Sequence, residues 1–213
     1  MMDWQSTQDA VRSCRRCEES VLRLRVPSAE KRKPPWDPLS PVRLYFVSVA
    51  PPWGGTYFWD ETARDSVREG LFRALQESFG TNITSCRQFR DLGFFLTPMV
   101  KCPSEQDDKD HSPSPPAIRN CSSFLLSELR AAQPERILAL GRVPFTGLCD
   151  LFDLDAPKNV RESRKETFWV RLGATQVPLS GTYFPGNNRH RCFSDIVKDI
   201  HRMLQQHPRS DDR

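Results

Sequence analysis

Seven cysteines are spread along the 213 residues, and four of them have the spacing to meet at one metal site. Cys14 and Cys17 form the CxxC of "CRRC", close enough for both thiolates to reach one centre. Cys102 follows the strand-like run "GFFLTPMV". Cys121 lies eighteen intervening residues later, in the first turns of a helical segment. Four prolines break the stretch between them into a loop that can fold back and bring the two thiols to one side. Four thiolates suit a structural zinc ion or a 4Fe–4S cluster, and spacing does not separate the two. The alternative is a chance CxxC with Cys102 and Cys121 as core residues, because free cysteine packs readily as a small hydrophobe. Cys149 and Cys192 sit in apolar helical settings and read that way, and Cys86 has no assigned place.

The elements that must carry these groups are legible from periodicity. A short helix from Gln8 to Cys14, capped at Ser6 or Thr7, delivers the CxxC. Arg25 to Pro41 has five prolines and four basic residues, the composition of an exposed connector. "RLYFVSVA" (Arg43–Ala50), "GFFLTPMV" (Gly93–Val100) and "RILALG" (Arg136–Gly141) are apolar runs of strands buried on both faces. Helical stripes run over Glu61–Phe79, Pro116–Ala132, Val143–Phe152 and Asp195–Gln205, and "ETFWVRLG" with "TQVPLSGTYF" reads as a hairpin. Buried strands alternating with helices predict an α/β fold, a three-layer α/β/α sandwich with a central mostly parallel sheet of about four strands. Ligands in such folds gather at the carboxyl ends of strands. Here those ends are Ala50–Pro52, Met99–Cys102, Gly141 and Gly181–Asn188.

Length predicts a single domain over residues 1–213, with the CxxC segment 1–41 packed on the core and a disordered tail from about residue 207 to 213. No run of 18 apolar residues spans a membrane, and the N-terminus lacks an apolar signal region. These features predict an intracellular, cytoplasmic protein in which a cysteine cluster binds metal rather than forming disulfides. A net charge of +4 permits a nucleic-acid partner without requiring one.

The order of segments resembles the iron–sulfur uracil-DNA glycosylases, the fourth and fifth families of the uracil-DNA glycosylase superfamily. The resemblance covers most of the chain. It is strongest in "MVKCPSE…CSSFLLSELRAAQPERILALG", which matches the family's cysteine–loop–cysteine–helix–strand block. "VAPPWGGTYFWDE" (Val49–Glu61) is similar to the first active-site motif, and "GTYFPGNNRH" (Gly181–His190) stands where the second one lies. The resemblance implies that Cys14, Cys17, Cys102 and Cys121 hold a structural 4Fe–4S cluster, with zinc the alternative. It implies a monomer acting on DNA that contains a damaged base, in base-excision repair and close to the nucleoid. Backbone around Ala50, Pro51 and Gly54 would bind the flipped base, and Tyr57 would stack on it in preference to Phe58. Asp60 would orient water or stabilise the sugar cation, unless it caps the following helix. Asn188 would read a base edge or grip a phosphate, and Arg189 and Arg191 would contact the DNA backbone.

Four positions depart from the family pattern. Val49 and Pro51–Pro52 replace a glutamate and Pro-Gly, and Pro98 replaces a base-reading asparagine. Phe184 stands in the base site at the position of the second motif's histidine and cannot donate a hydrogen bond. His190 is the one histidine near that motif that can replace the donor; the alternative is a solvated residue at a helix start. Three functions stay open: uracil excision, excision of another base such as hypoxanthine, and DNA binding without catalysis.

Overall fold

The computed structural model describes residues 3–17, 36–51, 57–103, 112–186 and 192–210. At its centre is a sheet in the order β2 (Phe94–Pro98), β1 (Leu44–Ser48), β3 (Ile137–Leu140), β5 (Thr175–Thr182), β4 (Phe168–Leu172), with β6 (Arg209–Ser210) paired to β5. β2, β1, β3 and β5 run parallel while β4 and β6 lie antiparallel to β5, so the sheet is mostly parallel as expected but has six strands rather than about four. All five positions of β1 are buried because the strand has a core on each side. Tyr45 and Val47 join one core, Leu44 and Phe46 the other, and in β3 Ile137 and Ala139 part in the same way from Leu138 and Leu140. This two-sided burial explains why these strands read as continuous apolar runs.

Helices cover both faces, completing the three layers. α1 (Trp4–Arg12), α4 (Pro115–Ala132) and α5 (Arg142–Leu151) supply the first core. α2 (Ser66–Phe79), α3 (Cys86–Asp91) and α7 (Phe193–Gln205) supply the second, and α6 (Val160–Ser163) is a single turn before β4. Among the described residues no helix is long and apolar enough to cross a membrane.

Two helix starts differ from expectation. α1 begins at Trp4 with Asp3 as its cap, its carboxylate accepting from Ser6 N at 2.7 Å, rather than at Gln8 after Ser6 or Thr7. The extra turn forms because Trp4 is buried edge-on against Phe95, ring centres 5.3 Å apart. α2 begins at Ser66, not near Glu61, because Asp65 accepts from Arg68 N at 2.6 Å and caps it. The cap role is therefore not Asp60's. At the other end, Arg209 and Ser210, inside the stretch expected as a disordered tail from about residue 207 to 213, form β6 against β5, and the Arg209 guanidinium lies 3.7 Å over Trp169.

Candidate active site and metal centre

The sheet sets where a ligand can sit. From β1 the chain crosses by α2 to β2 on one side, and from β3 it leaves by α5 toward β4 and β5 on the other. Connections departing on opposite faces leave a crevice beyond the carboxyl ends of β1 and β3, the usual ligand position in open α/β sheets. Ala50 and the buried Pro51 follow β1, and Gly141 follows β3.

The second motif enters this crevice from β5. A Cβ on Gly141 would stand 3.6 Å from Cβ of Phe184, so the phenylalanine lies over the end of β3. Phe184 is half-buried against the α2–α7 core. Pro185 and Gly186 then meet α2: the Pro185 carbonyl fills the space beside Gly70, and Gly186 lies near the Ser66 hydroxyl. Below them Thr182 Oγ1 donates to Asp199 of α7 at 2.7 Å, and Asp199 takes Arg164 Nε at 2.5 Å. The strand end is thus bolted to α7 by a buried polar group. Because the obstacle at Gly70 is backbone, Gly70→Ala must push the second motif away. We expect a cost of about 1–3 kcal/mol, a fall of roughly 2–12 °C in Tm for a chain this long, checked by thermal melting.

The first-motif segment is clamped from α2 by Arg68. Arg68 Nη1 donates to the carbonyls of Phe58 at 2.8 Å and Asp60 at 2.9 Å, and Nη2 to that of Ala63 at 2.5 Å. Trp59 anchors the same segment on the sheet by donating Nε1–H to Leu96 O at 3.0 Å. Phe58 is core, edge-on to Trp59, Phe72 and Phe89, whereas Tyr57 is half-buried. Asp60 is half-buried too, and its Oδ1 accepts from Thr62 N at 3.1 Å and Thr62 Oγ1 at 2.5 Å. Gly54, Asn188, Arg189, His190 and Arg191 lie outside the described residues. Arg68 carried no signal in the sequence, since its partners are main-chain carbonyls that only the folded loop brings together.

Past the carboxyl end of β2, Cys14, Cys17, Cys102 and Cys121 line one cavity, with Asn120 and Phe124 beside them. Cys17 and Cys121 are buried, Cys14 and Cys102 half-buried. Asn120 Nδ2 lies 3.4 Å from Cys17 Sγ and holds Arg16 O at 3.3 Å. Arg16 returns the contact, its guanidinium 4.5 Å over Phe124 and bonded to Ser123 Oγ at 2.8 Å. Burial pushes the Cys121 thiol up, partly offset by a hydrogen bond from the backbone of Lys101. Among the described residues no three His, Cys, Asp or Glu side chains stand close enough together to hold a single metal ion. Lys101, next to Cys102, turns inward to Glu128. Cys86 and Cys149 are buried away from this cavity, their thiols raised to about 12 and about 11, chiefly by desolvation.

The architecture defines a three-layer α/β/α protein with its motifs converging at the carboxyl edge of a parallel sheet. Residues 35–201 match the uracil DNA glycosylase superfamily, and the chain belongs to that family. It is 28% identical over 91 residues to a type-4 uracil-DNA glycosylase of Pyrobaculum aerophilum, covering 43% of this chain and 44% of that protein. It is 31% identical over 116 residues to a type-5 uracil-DNA glycosylase of the same organism, covering 52% and 49%. A type-4 uracil-DNA glycosylase of Archaeoglobus fulgidus is 23% identical over 186 residues, 85% of this chain and 82% of that protein. The chain spans about half the length of the first two relatives.

Proposed function

We propose that this protein is a monomeric, monofunctional DNA glycosylase that hydrolyses the N-glycosidic bond of a deaminated or damaged base in intracellular base-excision repair. The carrying observation is that both motif segments lie at the carboxyl edge of the sheet, Ala50 and Pro51 directly after β1, and Phe184 over the end of β3 with Pro185–Gly186 against α2. A flipped nucleotide needs such a pocket, with backbone donors and a stacking ring. Backbone around Ala50, Pro51 and Gly54 grips the base and Tyr57 stacks on it. Asp60 orients water or balances positive charge on the sugar, its carboxylate fixed by two bonds from Thr62. No lysine has a Schiff-base role in this reading, so water is the nucleophile. His190 serves as a proton donor, Asn188 reads the base edge, and Arg189 and Arg191 contact phosphates.

The four cysteines hold a structural 4Fe–4S cluster in this reading, and the CxxC segment 1–41 packs on the core of a single domain. Four thiols around one cavity supply the donor set, and Asn120 offers a hydrogen bond to sulfur. Zinc draws its sulfurs into a tight tetrahedron at about 2.3 Å from one ion. A cluster spreads them over separate irons.

A second reading changes the base. Pro98 offers no side-chain donor, and its carbonyl is already taken by Lys101 Nζ at 2.7 Å. Reading of uracil by a side-chain amide is therefore lost at this position, which favours a different target such as hypoxanthine. Single-turnover excision on oligonucleotides carrying uracil, hypoxanthine or xanthine, followed by alkaline cleavage, tests both readings. Scission at one of these bases, lowered about 10²- to 10⁴-fold by Asp60→Ala, is the expected result. No scission at any of them by protein with a full cluster overturns the enzyme reading and leaves a DNA-binding protein without catalysis.

A further inference from the structure

Behind the cysteines lies a charged network that the reaction does not use. Glu128, Gln8 and Lys101 are 1%, 1% and 3% exposed, in positions where helix and loop packing would ordinarily place apolar groups. Glu128 Oε1 accepts from Gln8 Nε2 at 2.9 Å, and Oε2 accepts from Lys101 Nζ at 2.5 Å and Thr97 Oγ1 at 3.0 Å. Lys101 Nζ also donates to Pro98 O at 2.7 Å, and Tyr45 OH pairs with Thr97 Oγ1 at 2.9 Å.

Gln8, Lys101 and Glu128 each sit on a segment that delivers a cysteine. Gln8 is on α1, six residues before Cys14. Lys101 directly precedes Cys102. Glu128 lies two turns beyond Cys121, on the same face of α4. One carboxylate therefore fixes all three cysteine-bearing segments, one oxygen toward α1 and the other toward the loop after β2. A buried ion pair of this kind is a poor source of stability, since apolar replacements of similar volume are often neutral or stabilising. Its value lies in holding one arrangement.

We infer that Glu128 is the positioning residue of the metal centre, holding the three cysteine-bearing segments in register and tying them, through Lys101 and Pro98, to the end of β2 that faces the base site. This rests on the cluster reading above. The arrangement parallels the outer partners of metal ligands, whose loss typically costs about 10- to 100-fold in affinity.

The test uses the full chain purified anaerobically, with iron and acid-labile sulfide counted per chain. The rate of iron loss to excess chelator and the visible circular dichroism of the bound centre are then measured. Glu128→Gln strands a buried lysine and can destabilise for that reason alone. The deciding variant is therefore Lys101→Met/Glu128→Met, which removes both charges together. We expect this double variant to melt close to the wild type, yet lose iron about tenfold or more faster, with an altered visible dichroism. A double variant that matches the wild type in iron loss and dichroism overturns the inference while leaving the cluster intact. Wild-type protein without iron and sulfide overturns the cluster reading itself, and the inference with it.

Discussion

Replacing Phe184 by histidine is expected to raise single-turnover excision of uracil by about a hundredfold. As the glycosidic bond breaks, negative charge collects on the departing pyrimidine, and a preorganised donor there is worth on the order of 10²–10³ in rate. The wild-type ring stands over the end of β3, its Cβ placed by Gly141 and its edge by Gly186, and offers no donor. Histidine is smaller and keeps the aromatic plane, so its cost falls on packing against the α2–α7 core. A modest drop in Tm should accompany the gain. Phe184→Leu controls for size, because it opens the same space without a donor and should leave the rate where it was. A rate unchanged in Phe184→His, with folding intact, would place the donor elsewhere in the pocket and direct attention to His190.

The sheet was legible in the sequence because its strands are buried on both faces, so β1, β2 and β3 appear as near-continuous apolar runs with no competing helical period. Helix starts were less so. Asp60 and Asp65 are both good caps within six residues, and only the folded chain decides between them, through the contact of Asp65 with Arg68 N. Trp4 could not be assigned to α1 without knowing that Phe95 waits across the core. The six-residue α3 and four-residue α6 fall below the length at which periodicity speaks. Spacing made the four cysteines that line one cavity candidates for a shared site, but it carries no information on what they hold. Glu128 did leave a trace, an acid set in the inward stripe of Phe124, Leu125 and Leu129, where periodicity asks for an apolar residue. Its partner Lys101 is 27 residues away, too far for any local pattern to pair them.

Arg68→Met should show whether the segment from Tyr57 to Ala63 belongs to the active site. The arginine joins three carbonyls at 2.5–2.9 Å, and touches a fourth, that of Tyr57, at 3.5 Å. Methionine keeps the apolar stem and removes the donors. Hydrogen bonds from a charged group contribute about 1.5–3 kcal/mol each, and these share one donor, so the combined loss should be about 3–5 kcal/mol. That corresponds to a fall of roughly 6–20 °C in Tm for a chain of this size. The kinetic effect separates from the thermal one when rates are taken well below the new Tm. If Asp60 and Tyr57 act on the substrate, losing the clamp displaces them and excision falls about a hundredfold, as misplacement by about 1 Å commonly does. Arg68→Lys should recover little, because a single ammonium cannot span carbonyls that a planar fork reaches from two nitrogens. A methionine variant that melts early yet excises at the full rate would remove the 57–63 segment, and Asp60 with it, from the chemistry. The work would then fall to the backbone after β1 and to the second motif.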